Sequence, residues 1–86
     1  MFHKGNDMVV KKFGEVIRDL RKQRRLSQEK LAELANLHDR HISFIERGLR
    51  KPSIVIVFQL AKALDIKASE LIMMVEKRIS QSEEEE

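Results

Sequence analysis

Apolar residues recur at helical spacing through most of the chain, and short polar stretches separate five such segments. Phe13, Val16, Ile17 and Leu20 form one apolar stripe of a first helix, predicted over residues 9–24. At about 100° per residue, these four side chains share one side of the helix and the charged residues take the other. The pattern predicts an all-α fold, because no segment shows the alternation of a half-buried strand.

Residues 28–47 predict two short helices joined by a tight turn. Ser27 is a favourable N-cap for the first, and Asn36 ends it because asparagine tolerates left-handed backbone. The second runs over residues 39–47 and stops at Gly48. The small side chain of Ala32 stands where the two helices cross, and the branched apolar residues Ile42 and Ile45 follow the turn. This spacing is the helix-turn-helix pattern.

The second short helix has two distinct sides. Ile42 and Ile45 define its buried side at helical spacing. The side chains that point away from the body are Arg40, Ser43, Phe44 and Arg47. A short helix that presents guanidinium groups, a hydroxyl and an aromatic ring can enter the major groove of DNA. We therefore predict that this helix reads bases.

Two further helices are predicted over residues 54–64 and 68–79. The core side of the fourth helix is predicted to hold Ile54, Val57, Phe58, Ala61 and Leu64. The core side of the fifth is predicted to hold Leu71, Ile72, Val75 and Ile79. The run of residues 54–58 also has high β-propensity, but its Pro-Ser start and its continuation favour a helix.

The patterned region corresponds to one small domain at residues 9–79. We expect residues 1–8 to form a flexible arm and residues 80–86 a disordered acidic tail. The chain has no cysteine, which excludes disulfides and thiolate metal sites. No run is long enough to span a membrane, and no signal-peptide pattern is present. We expect a cytosolic protein of bacterial type.

Charge is unevenly distributed along the chain. The formal net charge is +3, and without the four glutamates at residues 83–86 it would be +7. Six basic residues fall within the short stretch 18–30. A basic body with an acidic end is typical of a protein that binds a polyanion. Charge alone is equally compatible with a solvated helix face.

Three stretches resemble the Xre-type helix-turn-helix family, the five-helix domain of phage repressors and Cro. They are LRKQRRLSQEKLAELA, ISFIERG and KPSIVIVFQLAKALDI, all within residues 13–72. The small size is also similar to that of restriction–modification controller proteins. The resemblance implies a repressor-like fold, double-stranded DNA as partner and a homodimer on a near-palindromic operator, with no cofactor.

The resemblance also assigns roles to individual residues. It implies that Arg21 and Glu46 form an ion pair between the first and third helices. Gln28 is expected to donate to a phosphate and to brace the third helix. The predicted phosphate-binding residues are Gln28, His41, Arg47, Arg50 and Lys51. The predicted base-reading residues are Asp39, Arg40, Ser43 and Phe44.

Several positions depart from the family pattern. Arg25, Asn36 and Asp65 stand where glycines are usual. Asparagine tolerates left-handed backbone, and Arg25 would pay a small strain if its φ were positive. His38 replaces the usual Ser or Thr cap of the third helix. Asp39 stands where the family often has a base-reading or phosphate-binding side chain. Its carboxylate would repel phosphate but can accept from a cytosine amino group.

Exposed apolar residues on the last two helices predict the dimer interface. They are Val55, Ile56, Met73 and Met74. The alternative is that the arm or a longer fifth helix covers Val55 and Ile56. The alternative function is that of an antitoxin-like protein-interaction module with the same fold, which would use the same apolar residues to bind its partner.

No residue pattern indicates an enzyme, a metal site, a membrane segment or a small-molecule ligand. His38 and His41 lie three residues apart on one helix face, but contact with the turn or with phosphate explains them better than a metal does.

Overall fold

The computed structural model describes residues 2–85, with side chains from residue 7 to residue 83; Met1 and Glu86, the ends of the predicted arm and tail, lie outside the described residues. The five helices are α1 (Phe2–Gln23), α2 (Gln28–Ala35), α3 (Asp39–Glu46), α4 (Ile54–Ala63) and α5 (Ala68–Glu85). No strand occurs over residues 2–85, and the predicted all-α class is confirmed.

The outer helices are longer than the sequence predicts. α1 begins at Phe2, so residues 2–8 continue the helix where a flexible arm is expected. α5 extends to Glu85 and includes most of the expected disordered tail. Neither extension contains a proline, and adding a residue to an existing helix avoids the cost of nucleation. The helical region therefore extends beyond the predicted domain limits of residues 9–79.

One core of aliphatic side chains joins all five helices. Its fully buried members are Val16, Ile17, Leu31, Ile42, Ile45, Leu60, Leu64 and Leu71. Each such side chain contributes about 1.5–3 kcal/mol relative to an exposed position. α1 packs against both α3 and α5, and α2 packs against α3 and α4. The inner side of α3 is thus held by the core, and its outer side is left free.

Four helices end in the same motif, in which a left-handed residue is followed by an apolar one. The left-handed residues are Arg25 (φ 57°), Asn36 (φ 58°), Gly48 (φ 72°) and Asp65 (φ 58°). After α2, for example, the Leu37 N–H donates to the Ala32 carbonyl at 2.8 Å. This pattern of hydrogen bonds satisfies carbonyls that a helix end leaves without partners. The left-handed conformation expected at Asn36 is confirmed, and Arg25 and Asp65 adopt it as well.

The core-facing side of α4 differs from the predicted one. Val57, Leu60, Ala61 and Leu64 are buried, whereas Phe58 is 59% exposed. Ile54 is also exposed, and Ile56, predicted to lie in the dimer interface, packs against the edge of the core. The apolar run at residues 54–58 covers the whole circumference of the helix, so periodicity alone does not determine which side faces inward. Ile72 of α5, predicted to be in the core, is likewise exposed.

An ion-pair cluster that the sequence does not predict joins α5 to α1. The Arg78 guanidinium donates through Nη2 to Asp19 Oδ2 at 2.6 Å. Its Nη1 lies 3.5 Å from Glu15 Oε1, which also lies 3.4 Å from Lys12 Nζ. Arg78 is 59 residues from Asp19 along the chain, so no local spacing rule reveals the pair.

Candidate nucleic-acid interface

The orientation of α3 depends on a buried carboxylate at its C-terminal end. Glu46 accepts from Arg21 Nε at 2.6 Å and from Arg21 Nη2 at 3.0 Å. Gln28 Nε2 donates to the same carboxylate at 3.0 Å. Only 2% of the Glu46 side chain is exposed. One carboxylate therefore joins α1, α2 and α3, and Arg21 and Glu46 form the ion pair that the resemblance implies.

Arg21 also fixes the turn between α1 and α2. Its Nη1 donates to the Leu26 carbonyl at 2.9 Å. The hydrogen bond to Glu46 raises the pKa of Arg21 above its usual value. The guanidinium thus stays charged and uses its planar fork for three separate contacts. Gln28 is the first residue of α2, and its hydrogen bond to Glu46 places it next to the C-terminal end of α3.

A close approach of backbone to backbone sets the distance between α1 and α3. A side-chain carbon added at Gly14 would lie 2.2 Å from the Ile45 carbonyl oxygen and 2.8 Å from that of Glu46. Both carbonyls belong to the last turn of α3, and neither can rotate away as a side chain can. Sequence reasoning misses Gly14, although a glycine inside a strongly amphipathic helix signals a close contact.

The outer side of α3 carries the predicted base-reading residues. Asp39 and Arg40 are exposed, and Ser43 and Phe44 are half-buried. His41, a predicted phosphate-binding residue, is also half-buried. A cleft of about 500 Å³ is lined by His38, Arg40, His41, Phe44 and Arg50. The structure therefore brings these predicted residues to one surface.

The ring of Phe44 lies against two guanidinium groups. The Arg47 guanidinium carbon lies 5.3 Å from the ring centroid, and that of Arg50 lies 5.6 Å from it. Both distances are within the range of cation–π attraction. Arg47 Nε also lies 3.4 Å from the Ser43 carbonyl oxygen. Phe44 thus orders two predicted phosphate-binding side chains, in addition to being accessible at the outer surface of α3.

The N-terminus of α3 lacks the usual side-chain cap. His38 is the N-cap, and its side chain makes no capping hydrogen bond. Instead its Nδ1 lies 3.2 Å from Asp39 Oδ1. The Asp39 carboxylate stands in the first turn, where a negative charge interacts favourably with the helix dipole. Asp39 therefore has a structural explanation that does not require contact with a base.

The loop after α3 carries the remaining predicted phosphate-binding residues. Arg50 and Lys51 are both exposed. Gly48 allows this loop to pass close to α1, because a side-chain carbon there would lie 3.3 Å from Lys11 Cα. Basic groups thus lie along both the outer side of α3 and the loop that leaves it.

Two further observations concern other classes of site. Among the described residues, no three His, Cys, Asp or Glu side chains are grouped as a metal site would require. None of the helices within residues 2–85 is long and apolar enough to cross a membrane.

Comparison with known proteins identifies relatives of this arrangement. The helix-turn-helix family model matches residues 17–71. The control protein C.BamHI of Bacillus amyloliquefaciens is 39% identical over 61 residues, 70% of this chain and 75% of that protein. The transcriptional regulator Rv0474 of Mycobacterium tuberculosis is 41% identical over 58 residues, 67% of this chain. The chain spans about two fifths of that regulator, since the match covers 41% of its length.

Solved structures show the same fold. The restriction–modification controller protein C.AhdI from Aeromonas hydrophila superposes with a TM-score of 0.70 and 45% identity, over 72% of this chain and 94% of that one. The controller protein C.Esp1396I, solved as a tetramer with its natural 35-base-pair operator, gives a TM-score of 0.77 and 31% identity, over 83% and 93%. The chain belongs to the helix-turn-helix family, and it is similar to restriction–modification controller proteins.

Proposed function

We propose that this protein is a sequence-specific transcriptional regulator that binds double-stranded DNA as a homodimer. The observation that carries the proposal is the division of α3 into two sides. Ile42 and Ile45 are buried in the core on one side. On the other side lie the exposed Arg40 and the Phe44 ring with its two neighbouring guanidinium groups. The operator-bound controller C.Esp1396I supports DNA as the partner. Such a regulator acts in a bacterial-type cytosol and needs no enzymatic activity.

The outer residues divide into two groups by what they contact. Arg40 and Ser43 have the position and the donors to read base edges, with Arg40 pairing with guanine. Arg47, Arg50 and Lys51, together with Gln28 and His41, position the helix on phosphates. Phe44 packs against a thymine methyl and orders the neighbouring guanidinium groups, and Asp39 accepts from cytosine. The base contacts of Asp39, Arg40, Ser43 and Phe44 change with sequence, whereas the phosphate contacts do not.

Replacing Arg40 by alanine is expected to weaken binding to the preferred duplex by about 1–3 kcal/mol and to relax the preference at one base pair. Its guanidinium is exposed on α3, and the substitution therefore removes a contact without disturbing the core. Competition titrations on duplexes that vary one base pair at a time measure both effects. Arg24→Ala, exposed just beyond the end of α1 and outside the proposed contacts, is the control and should leave binding unchanged. An equal loss on every duplex would make Arg40 a phosphate contact.

The dimer surface is proposed on α4 and α5. Val55 is 64% exposed and Met73 is 62% exposed, and both are apolar. Ile54 and Phe58 extend the patch beside Val55, where these three side chains border a shallow depression of about 380 Å³. Ile56 lies at the core edge, so Phe58 takes its place beside Val55 in the proposed interface. Two copies of α3 about 34 Å apart would read half-sites one turn apart.

Val55→Asp is expected to convert the dimer into a monomer with weak, non-cooperative DNA binding, because it places a charge in an apolar interface. Sedimentation equilibrium at micromolar concentration measures the change. Leu49→Asp is the matched control, since Leu49 is 63% exposed on the loop after α3 and outside the proposed interface. A Val55→Asp protein that sediments as the wild type does would place the interface elsewhere.

A further inference from the structure

α1 carries a row of cations that the proposed contacts do not use. Lys11, Arg18 and Lys22 are exposed and lie within about 40° of one another around the helix axis. In the part of the chain that the structure describes, their side chains make no hydrogen bond or ion pair. We call these three residues the α1 basic row. It runs from residue 11 to residue 22, and the eleven rises between them span about 16 Å of helix.

The row connects the two ends of the proposed phosphate-binding surface. At one end, Lys11 Cα lies against Gly48, next to the loop of Arg50 and Lys51. At the other end, Lys22 follows Arg21, which holds Glu46 beside Gln28. Between them, α1 touches the last turn of α3 at Gly14. The row therefore lies on the helix that packs against the last turn of α3, beside the loop that carries Arg50 and Lys51.

Glu15 and Asp19 of α1 pair with basic residues outside the row. Asp19 pairs with Arg78 at 2.6 Å, and Glu15 pairs with Lys12 at 3.4 Å and with Arg78 at 3.5 Å. Arg78 thus engages both carboxylates from α5, and neither of them pairs with the α1 basic row. Three unpaired cations beside a DNA-reading helix can bind a phosphate backbone.

We propose that the α1 basic row binds phosphates of the same duplex beyond the base pairs that α3 reads. The proposal rests on the proposed DNA-binding function and enlarges its contact surface. A purely structural role is also definable, because cations near the last turn of α3 interact with the negative end of its dipole. The two roles differ in a measurable way, since only phosphate binding changes the salt dependence of DNA affinity.

The test compares two triple variants that remove the same charge. Lys11→Gln/Arg18→Gln/Lys22→Gln removes the row. Arg24→Gln/Lys67→Gln/Lys77→Gln removes three exposed cations outside the row and outside the proposed contacts, and serves as the control. Affinity is measured across a series of salt concentrations on two duplexes, one ending at the edge of the operator selected from a random pool and one extended by about half a turn on each side. Thermal melting of each variant is recorded in parallel.

Wild type is expected to bind the extended duplex more tightly, and the row variant is expected to lose that advantage. Its salt slope should fall by about 0.9 for each lost phosphate, which amounts to two to three units per protomer. The control should keep both the advantage and most of the slope. Equal changes in the two variants would mean an effect of net charge alone. A lowered melting temperature with an unchanged slope would mean the structural role, and either result overturns the proposal.

If wild type selects no operator, the proposed function fails and this inference fails with it, whereas an unaffected row variant overturns only the inference.

Discussion

Glu46→Ala is expected to lower the free energy of unfolding by about 3–5 kcal/mol. The substitution removes the acceptor of three hydrogen bonds, two from Arg21 and one from Gln28. It leaves the Arg21 guanidinium with only the Leu26 carbonyl as partner, in a side chain that is 12% exposed. A small domain has about 5–15 kcal/mol of stability in total, so a loss of this size approaches global unfolding. Urea denaturation measures it.

Glu33→Ala provides a matched control for this prediction. Glu33 pairs with Lys30 at 3.2 Å on α2, but 72% of its side chain is exposed. Exposed pairs contribute about 0–1 kcal/mol. The two variants make the same chemical change inside helices, and they differ in burial and in the number of partners. If Glu46→Ala unfolds at the same urea concentration as Glu33→Ala, the carboxylate at residue 46 does not hold the three helices together.

Gly14→Ala is expected to destabilise the protein by about 3 kcal/mol, at the upper end of overpacking costs. In an exposed helix the same substitution would stabilise by about 0.5–1 kcal/mol, because glycine is a poor helix former. Here the added carbon would lie 2.2 Å from the Ile45 carbonyl oxygen, so α1 and α3 must separate. The separation also strains the neighbouring contacts of Glu46. The sign of the change in unfolding free energy therefore distinguishes packing from propensity.

Denaturation and DNA titration of the same Gly14→Ala preparation test this argument together. The protein should lose stability and, where it remains folded, bind its operator more weakly because the orientation of α3 has changed. A protein that is more stable than wild type would contradict the close approach of α1 and α3.

The elements that the sequence predicts best are those in which local pattern and position agree. α2 begins at Gln28 and α3 begins at Asp39, as the cap and turn residues indicate. The left-handed residues after α1, α2 and α4 follow from their place at helix ends. Arg21 and Glu46 were paired through the family resemblance, since their separation of 25 residues carries no local signal.

The features that the sequence does not predict depend on packing between distant segments. The first five residues of α4 are apolar on every side, and only the contacts of this helix with α2 and α5 decide that Leu60 is buried and Phe58 exposed. Arg78 reaches Asp19 because α5 lies along α1. The position of Phe44 on the outer side of α3 was predictable, but its contact with Arg47 and Arg50 requires the geometry of the following loop.

The central claim is that the outer side of α3 reads a DNA sequence on behalf of a symmetric dimer. Selection of bound duplexes from a random pool, carried out in parallel with wild type and Arg40→Ala, tests it most directly. We predict that wild type enriches a near-palindromic site whose half-sites are one helical turn apart, about 34 Å. We also predict that Arg40→Ala loses the preference at the same base pair in both half-sites. A wild-type pool without an enriched sequence, or with a single unpaired half-site, would contradict the account.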